Sequence, residues 1–136
     1  MNFLSLGAIR RRINKMAKVI SAPKPLLPTM GSSRDAGYPH VEVDENGYHY
    51  VIVERGKEFS RKTYKDIDKL LYIVFDHITQ SMASDYELNN RIDSQDSRRL
   101  IFDYQLRLLS QIDEAWSTMK NEEIGELLIR HPYVDK

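Results

Sequence analysis

The side chains that could carry acid–base or metal chemistry are few and scattered in this chain of 136 residues. The chain has no cysteine, no HExxH motif and no glycine-rich phosphate loop, so we expect neither a metal centre nor a cofactor. One acid–base pair remains, because a hairpin predicted at Asn46-Gly47 places Asp44 opposite His49. A small hydrolase with its site at this pair is one hypothesis for the function. The four histidines are far apart in the sequence: His40, His49, His77 and His131.

The net formal charge of zero conceals an uneven distribution of charge along the chain. Residues 1–34 carry seven basic and no acidic side chains, whereas residues 35–136 carry thirteen basic and twenty acidic ones. The first segment therefore has a net charge of +7 and the second one of −7. This balance disfavours nucleic acid as a ligand of residues 35–136 and favours a basic protein partner.

Residues 1–37 predict a basic N-terminal arm followed by a linker rich in proline and glycine. An amphipathic helix over residues 4–20 could lie on an anionic membrane surface, although docking on the rest of the chain or fraying is the simpler interpretation. Because the linker favours extended or flexible backbone, we expect residues 38–136 to form the folded domain and residues 1–34 to be dispensable for folding. A regulatory adaptor that binds nucleic acid or a membrane surface through the arm is a second hypothesis. No apolar run is long enough to span a membrane.

Residues 40–59 predict a three-stranded antiparallel meander. Asn46-Gly47 indicates a two-residue hairpin turn, because a type I′ turn needs residues that tolerate positive φ. This turn pairs Val41 with Ile52 and leaves the apolar residues of both strands on one face. A second turn at Arg55-Gly56 would bring Phe59 beside Ile52.

Three helices should follow the meander and complete an α+β fold. A capping box formed by Thr63 and Asp66 would start the first helix. The central helix, within residues 97–116, has one broad apolar face, and Asp113 can end it and cap the last helix. We expect three large side chains in the core: Phe75, Leu108 and Trp116.

Two polar residues, Arg98 and Gln105, fall in the apolar sector of the central helix. Buried polar groups are costly unless they are hydrogen-bonded. We therefore expect Arg98 to pair with a carboxylate or with backbone carbonyl groups, and Gln105 to bond to a neighbouring element. Both residues are interpreted as structural.

Several short motifs occur in a fixed order along residues 38–136: VERG at 53–56, SMASDYE at 81–87, RRLIFDYQ at 98–105, and Trp116 followed by the HPY ending. In these motifs the chain resembles the bacterial immunity protein 63 family, whose members accompany polymorphic or contact-dependent toxins. The resemblance implies a cytoplasmic, non-enzymatic inhibitor that neutralises a cognate toxin domain by stoichiometric binding. It transfers no interface residues to this chain.

The acidic side chains on predicted turns and outer helix faces are the candidates for the toxin interface. A nuclease toxin would be basic in order to approach a polyanion, and an acidic surface would attract it. The alternative is that these side chains are ordinary solubilising charges. The candidates are Glu42, Asp44, Glu45, Glu54, Asp68 and Asp76.

Overall fold

A computed structural model describes residues 2–136 of the chain, and over this range the chain forms four α-helices and one four-stranded sheet. The α+β prediction is confirmed. The three predicted antiparallel strands and the three helices after them are present, but the counts are too low: the sheet has a fourth strand, and the amphipathic helix predicted over residues 4–20 forms at Leu6–Val19. The chain divides into two compact units, one ending at Phe75 and the other running from Asp76 to Lys136.

The element bounds follow the chain in order. The helices are α1 (Leu6–Val19), α2 (Ile67–Asn89), α3 (Ser97–Ile112) and α4 (Glu114–Arg130). The strands are β1 (Thr29–Met30), β2 (Pro39–Asp44), β3 (Gly47–Glu54) and β4 (Lys57–Tyr64). All four strands belong to the first unit.

The sheet has the strand order β1-β2-β3-β4. The meander of β2, β3 and β4 is antiparallel as predicted, whereas β1 pairs in parallel with β2. The sheet is therefore mixed. A strand of only two residues has no periodicity to detect, and β1 is defined by its pairing with His40 and Val41.

The turn between β2 and β3 consists of Glu45 and Asn46 rather than of the predicted Asn46-Gly47. Asp44 pairs with Gly47, so the register differs by two residues from the predicted one. A shift of two leaves every side chain on its predicted face, because side chains alternate with period two. A Cβ at Gly47 would meet the carbonyl oxygen of Tyr64 at 2.6 Å, so this position requires glycine because β4 approaches it closely.

The turn between β3 and β4 lies at Arg55-Gly56, as predicted, with φ of 54° and 74° at the two positions. The predicted pairing of Phe59 beside Ile52 is wrong. Ile52 pairs with Ser60 and Val53 pairs with Glu58, which leaves Phe59 as the extra residue of a β-bulge.

The basic N-terminal segment is structured. Ser5 caps α1 by accepting a hydrogen bond from the backbone N–H of Ala8, and α1 packs against β2. Its apolar stripe is buried, and the backbone N–H of Gly31 donates to the carbonyl of Val41 at 2.7 Å. These contacts argue against the expectation that residues 1–34 are dispensable for folding, while a domain boundary at residue 37 stays a prediction. The buried stripe comprises Ile9, Ile13, Ala17 and Ile20.

In the second unit, α3 packs against α4. Asp113 ends α3 and caps α4 by accepting a hydrogen bond from the backbone N–H of Ala115, as predicted. The predicted capping box of α2 is wrong, because Thr63 lies in β4. Asp66 alone accepts a hydrogen bond at the start of the helix, from the N–H of Asp68. The three predicted core side chains, Phe75, Leu108 and Trp116, are all buried.

Candidate functional site

Three of the acidic interface candidates lie at opposite ends of β3. Asp44 and Glu45 lie at the turn that opens β3, whereas Glu54 lies at the turn that ends it. Because a strand rises about 3.3 Å per residue, the eight residues of β3 separate the two turns by roughly 25 Å. Asp68 is exposed in the first turn of α2, and Asp76 belongs to the second unit. A partner that contacts one turn through a small surface does not reach the other.

Glu42 is engaged within the sheet. Its Oε2 accepts a hydrogen bond from Nε2 of His40 at 2.7 Å, and its Oε1 lies 3.1 Å from Nη1 of Arg61. Arg61 also pairs with Glu58 at 2.8 Å. The hydrogen bond from His40 and then that from Arg61 hold the pKa of Glu42 below its ordinary value. This network ties β2 to β4 across β3. It occupies both carboxylate oxygens of Glu42, which are then less available to a protein partner.

Asp44, His49 and Thr63 form a chain of hydrogen bonds across three strands. His49 donates from Nε2 to Oδ1 of Asp44 at 2.8 Å, because a carboxylate only accepts, and Nδ1 lies 2.7 Å from Oγ1 of Thr63. The hydrogen bond from His49 is the main cause that lowers the pKa of Asp44. Carboxylate, imidazole and hydroxyl occur in the order that nucleophilic catalysis uses.

The pairing of strands accounts for this arrangement without catalysis. Thr63 is the direct cross-strand neighbour of His49, and the imidazole is buried between its two partners. The carboxyl side chain of Asp44 is 43% exposed, so water screens the charge that would have to stabilise an imidazolium. We assign the three residues a structural role in joining β2, β3 and β4.

The residues Glu54–Phe59, which we call the hairpin tip, carry features that the sequence reasoning missed. Phe59 is 76% exposed although it is the largest apolar side chain of β4. A concavity of about 600 Å³ is lined by residues of the hairpin tip: Glu54, Arg55, Lys57, Glu58 and Phe59. The sequence offers one signal for this surface, a lone aromatic residue among polar ones in KEFSRK. Strand alternation alone predicts that this residue points inward.

Asp35 braces the hairpin tip from outside the sheet. Its Oδ2 accepts a hydrogen bond from the backbone N–H of Gly56 at 2.9 Å, and its Oδ1 accepts one from the N–H of Ala36 at 2.8 Å. The backbone N–H of Gly37 donates to the carbonyl of Val53 at 2.9 Å. The segment predicted as a linker therefore holds the turn between β3 and β4 in place.

The exposed face of α1 is basic. Its side chains point away from the buried apolar stripe, and residues 1–34 contain no acid to neutralise them. Because the apolar stripe is buried in the first unit, α1 as folded cannot insert that stripe into a membrane. The exposed basic residues are Arg10, Arg11, Arg12, Lys15 and Lys18.

Arg98 and Gln105 both have partners in the second unit. Arg98 pairs with Asp96 at 2.9 Å and donates to the carbonyl oxygens of His131 and Pro132. Gln105 is 1% exposed, and its Nε2 donates to the side chains of Asp76 and Thr79 and to the carbonyl of Asp76.

Asp76, the last interface candidate, is held in the same cluster. Its Oδ1 lies 2.9 Å from Nζ of Lys120. Burial opposes the charge on Lys120, but the hydrogen bond and the charge of Asp76 outweigh it, so the pKa of Lys120 is raised. Asp76 is thus occupied by internal partners.

Among residues 2–136, no group of three or more His, Asp or Glu side chains is arranged to hold a metal ion. Over the same residues, no helix has both the length and the apolar content needed to cross a membrane.

Comparison with known proteins places most of the chain in a family. The model of the family described as immunity protein 63 matches residues 44–126, from the end of β2 into α4. No curated protein and no solved structure matches the chain significantly. The match includes the hairpin tip and leaves α1 and β1 outside.

Proposed function

The chain belongs to the immunity protein 63 family, and from this premise we propose that it binds and neutralises a cognate bacterial toxin domain by stoichiometric protein–protein contact. The observation that carries the proposal is the family match over residues 44–126, which spans most of the meander and of the helices that follow it. The family implies a toxin as the partner. The chain would act in the cytoplasm of the producing cell, without turnover of its own.

The charge of residues 35–136 supports a basic toxin, such as a nuclease, as the partner. Twenty acidic side chains against thirteen basic ones would attract a basic domain and speed its association. Of the acidic candidates, Glu45 and Glu54 are exposed on turns, whereas Glu42 and Asp76 are engaged internally. Long-range attraction does not require the charges to lie in the final interface.

The proposal is tested with the toxin domain encoded in the adjacent reading frame. Cells that express this domain should survive only when the chain is co-expressed, and the two purified proteins should form a complex of fixed stoichiometry. The chain should also abolish the activity of the purified toxin domain. A chain that neither binds nor protects against the adjacent domain contradicts the immunity function.

Charge steering has its own test. The double variant Glu45→Lys/Glu54→Lys should slow association and make it less sensitive to salt. The matched control is Glu122→Lys/Glu126→Lys, which changes the net charge equally on exposed positions of α4. Equal slowing in both variants means that net charge alone steers the encounter, and no slowing in either contradicts steering.

A second candidate function is favoured by the basic face of α1, which lies outside the family match. Five exposed cations on one helix suit the phosphates of a nucleic acid. The full chain should then bind a DNA duplex with an affinity that falls steeply between about 50 and 200 mM salt. The variant Arg11→Glu/Lys15→Glu should abolish this binding, and an affinity that ignores both salt and these substitutions excludes it.

A further inference from the structure

We propose that the hairpin tip, with Phe59 as its apolar anchor, is the surface by which the chain grips the toxin domain. This inference rests on the proposed function and deepens it by assigning the contact. The occupant is a protein surface with an apolar pocket bordered by at least one cation and one anion.

Phe59 is unusually exposed for a large apolar side chain. A side chain of this size is 76% exposed in a strand whose other residues are polar. The bulge at Phe59 removes it from pairing with β3, and bulges commonly re-aim a side chain beside a functional surface. Exposed aromatic side chains surrounded by polar residues are typical anchors of protein interfaces.

The hairpin tip is fixed before any partner arrives. Asp35 accepts a hydrogen bond from the N–H of Gly56, and Arg61 pairs with Glu58 within β4. Arg55 and Gly56 have φ of 54° and 74°, the backbone geometry of a tight two-residue hairpin turn. A rigid anchor loses little conformational entropy on binding.

The charges around the concavity indicate the class of partner. The border of the concavity carries charges of both signs, with Glu54 and Glu58 acidic and Arg55 and Lys57 basic. A polyanion such as a nucleic acid or an anionic membrane gains no net attraction here, because the two carboxylates offset the two cations. A folded protein can place a charge of each sign against this border, so charge complementarity selects a protein. The hairpin tip also lies inside the family match, which ties it to the function shared by the family.

The experiment compares Phe59→Ala with wild-type protein in binding to the toxin domain that the wild type neutralises. The matched control is Ile129→Ala, which removes an apolar side chain that is 82% exposed on α4, beyond the family match. We expect Phe59→Ala to weaken binding by about 30-fold, in the range of interface hot spots, and Ile129→Ala to weaken it less than about twofold. Both variants should keep the wild-type Tm because both side chains are exposed.

The outcomes separate this inference from the proposed function. A tenfold or greater loss confined to Phe59→Ala supports the anchor, and recovery of binding in Phe59→Leu supports its apolar nature. A smaller loss, or an equal loss in Ile129→Ala, overturns the anchor while toxin binding stands. If wild-type protein fails to bind the toxin, the proposed function fails first. If sedimentation shows that Phe59→Ala dissociates a homodimer of the free chain, the hairpin tip joins two copies and the anchor is overturned.

Discussion

Arg98 donates a hydrogen bond from Nη2 to the carbonyl oxygen of Pro132 at 2.8 Å, so the first turn of α3 holds the segment that follows α4. The same guanidinium pairs with Asp96 at 2.9 Å. We expect Arg98→Ala to lower the Tm by about 3–6 °C, because it leaves these acceptors without their donor. The control Arg107→Ala, whose partner Asp103 is exposed on the same helix, should change the Tm by less than about 1 °C.

A shift of the Tm no larger than that of the control would show that the contact contributes nothing measurable. If Arg98→Ala keeps its stability but no longer neutralises the toxin, Arg98 belongs to the interface instead. Thermal unfolding and the protection assay together distinguish the two roles.

The pKa of Asp96 gives a prediction about acid stability. The hydrogen bond from Arg98, followed by that from the backbone N–H of Val134, holds this pKa well below its ordinary value of 3.8. Because the folded pKa is depressed, the stabilisation is present above the unfolded pKa and is lost as the pH falls through the folded value. The Tm should therefore decline below about pH 4, and Asp96→Asn should show a smaller decline than wild-type protein. Parallel curves of Tm against pH would refute this assignment.

We expect Gln105 to contribute to stability through its hydrogen bonds as well as through its packing. It is buried and donates to Asp76 and to Thr79. Gln105→Ala should lower the free energy of unfolding by about 2–4 kcal/mol, because it opens a cavity and strands buried acceptors. Gln105→Met fills the volume without donating, so its cost isolates the hydrogen bonds. Denaturant titration measures both, and an unchanged midpoint in Gln105→Ala would contradict the burial.

The helix α1 is expected to be necessary for folding of the first unit. Ile13 is fully buried, and Ile13→Ala should cost about 2–5 kcal/mol, whereas the exposed Arg12→Ala should cost less than about 0.5 kcal/mol. A chain that starts at Gly37 lacks α1 and β1 and should unfold at a lower temperature with reduced cooperativity. A truncated chain that keeps the wild-type Tm would show that residues 38–136 fold alone.

Asp35 should control the rigidity of the hairpin tip rather than global stability. Asp35→Ala removes the acceptor of the Gly56 N–H, so the amide of Gly56 should exchange with solvent at least about tenfold faster, while the Tm changes by about 2 °C or less. Hydrogen exchange followed by NMR measures the effect. Unchanged exchange at Gly56 would mean that the turn holds its own geometry.

The sequence by itself determined the elements whose signal is local. Alternation placed the antiparallel meander, the 3.6-residue period placed the helices that follow it, and Asp113 marked the junction between α3 and α4. The motifs along residues 38–136 also indicated the family, because their order and spacing can be read directly from the sequence. A register error of two residues at the first hairpin left the strand faces correct, since side chains repeat every two residues.

Only the tertiary structure decided the features that depend on residues distant in sequence. The strand β1 forms by pairing with backbone groups of β2. The helix α1 docks by burying its apolar stripe in the first unit. The bulge that turns Phe59 outward arises from pairing between β3 and β4, which no local pattern encodes. Likewise, only interatomic distances show that Glu42 and Asp76 form ion pairs, whereas Glu54 is exposed. Their partners, Arg61 and Lys120, are 19 and 44 residues away in the sequence.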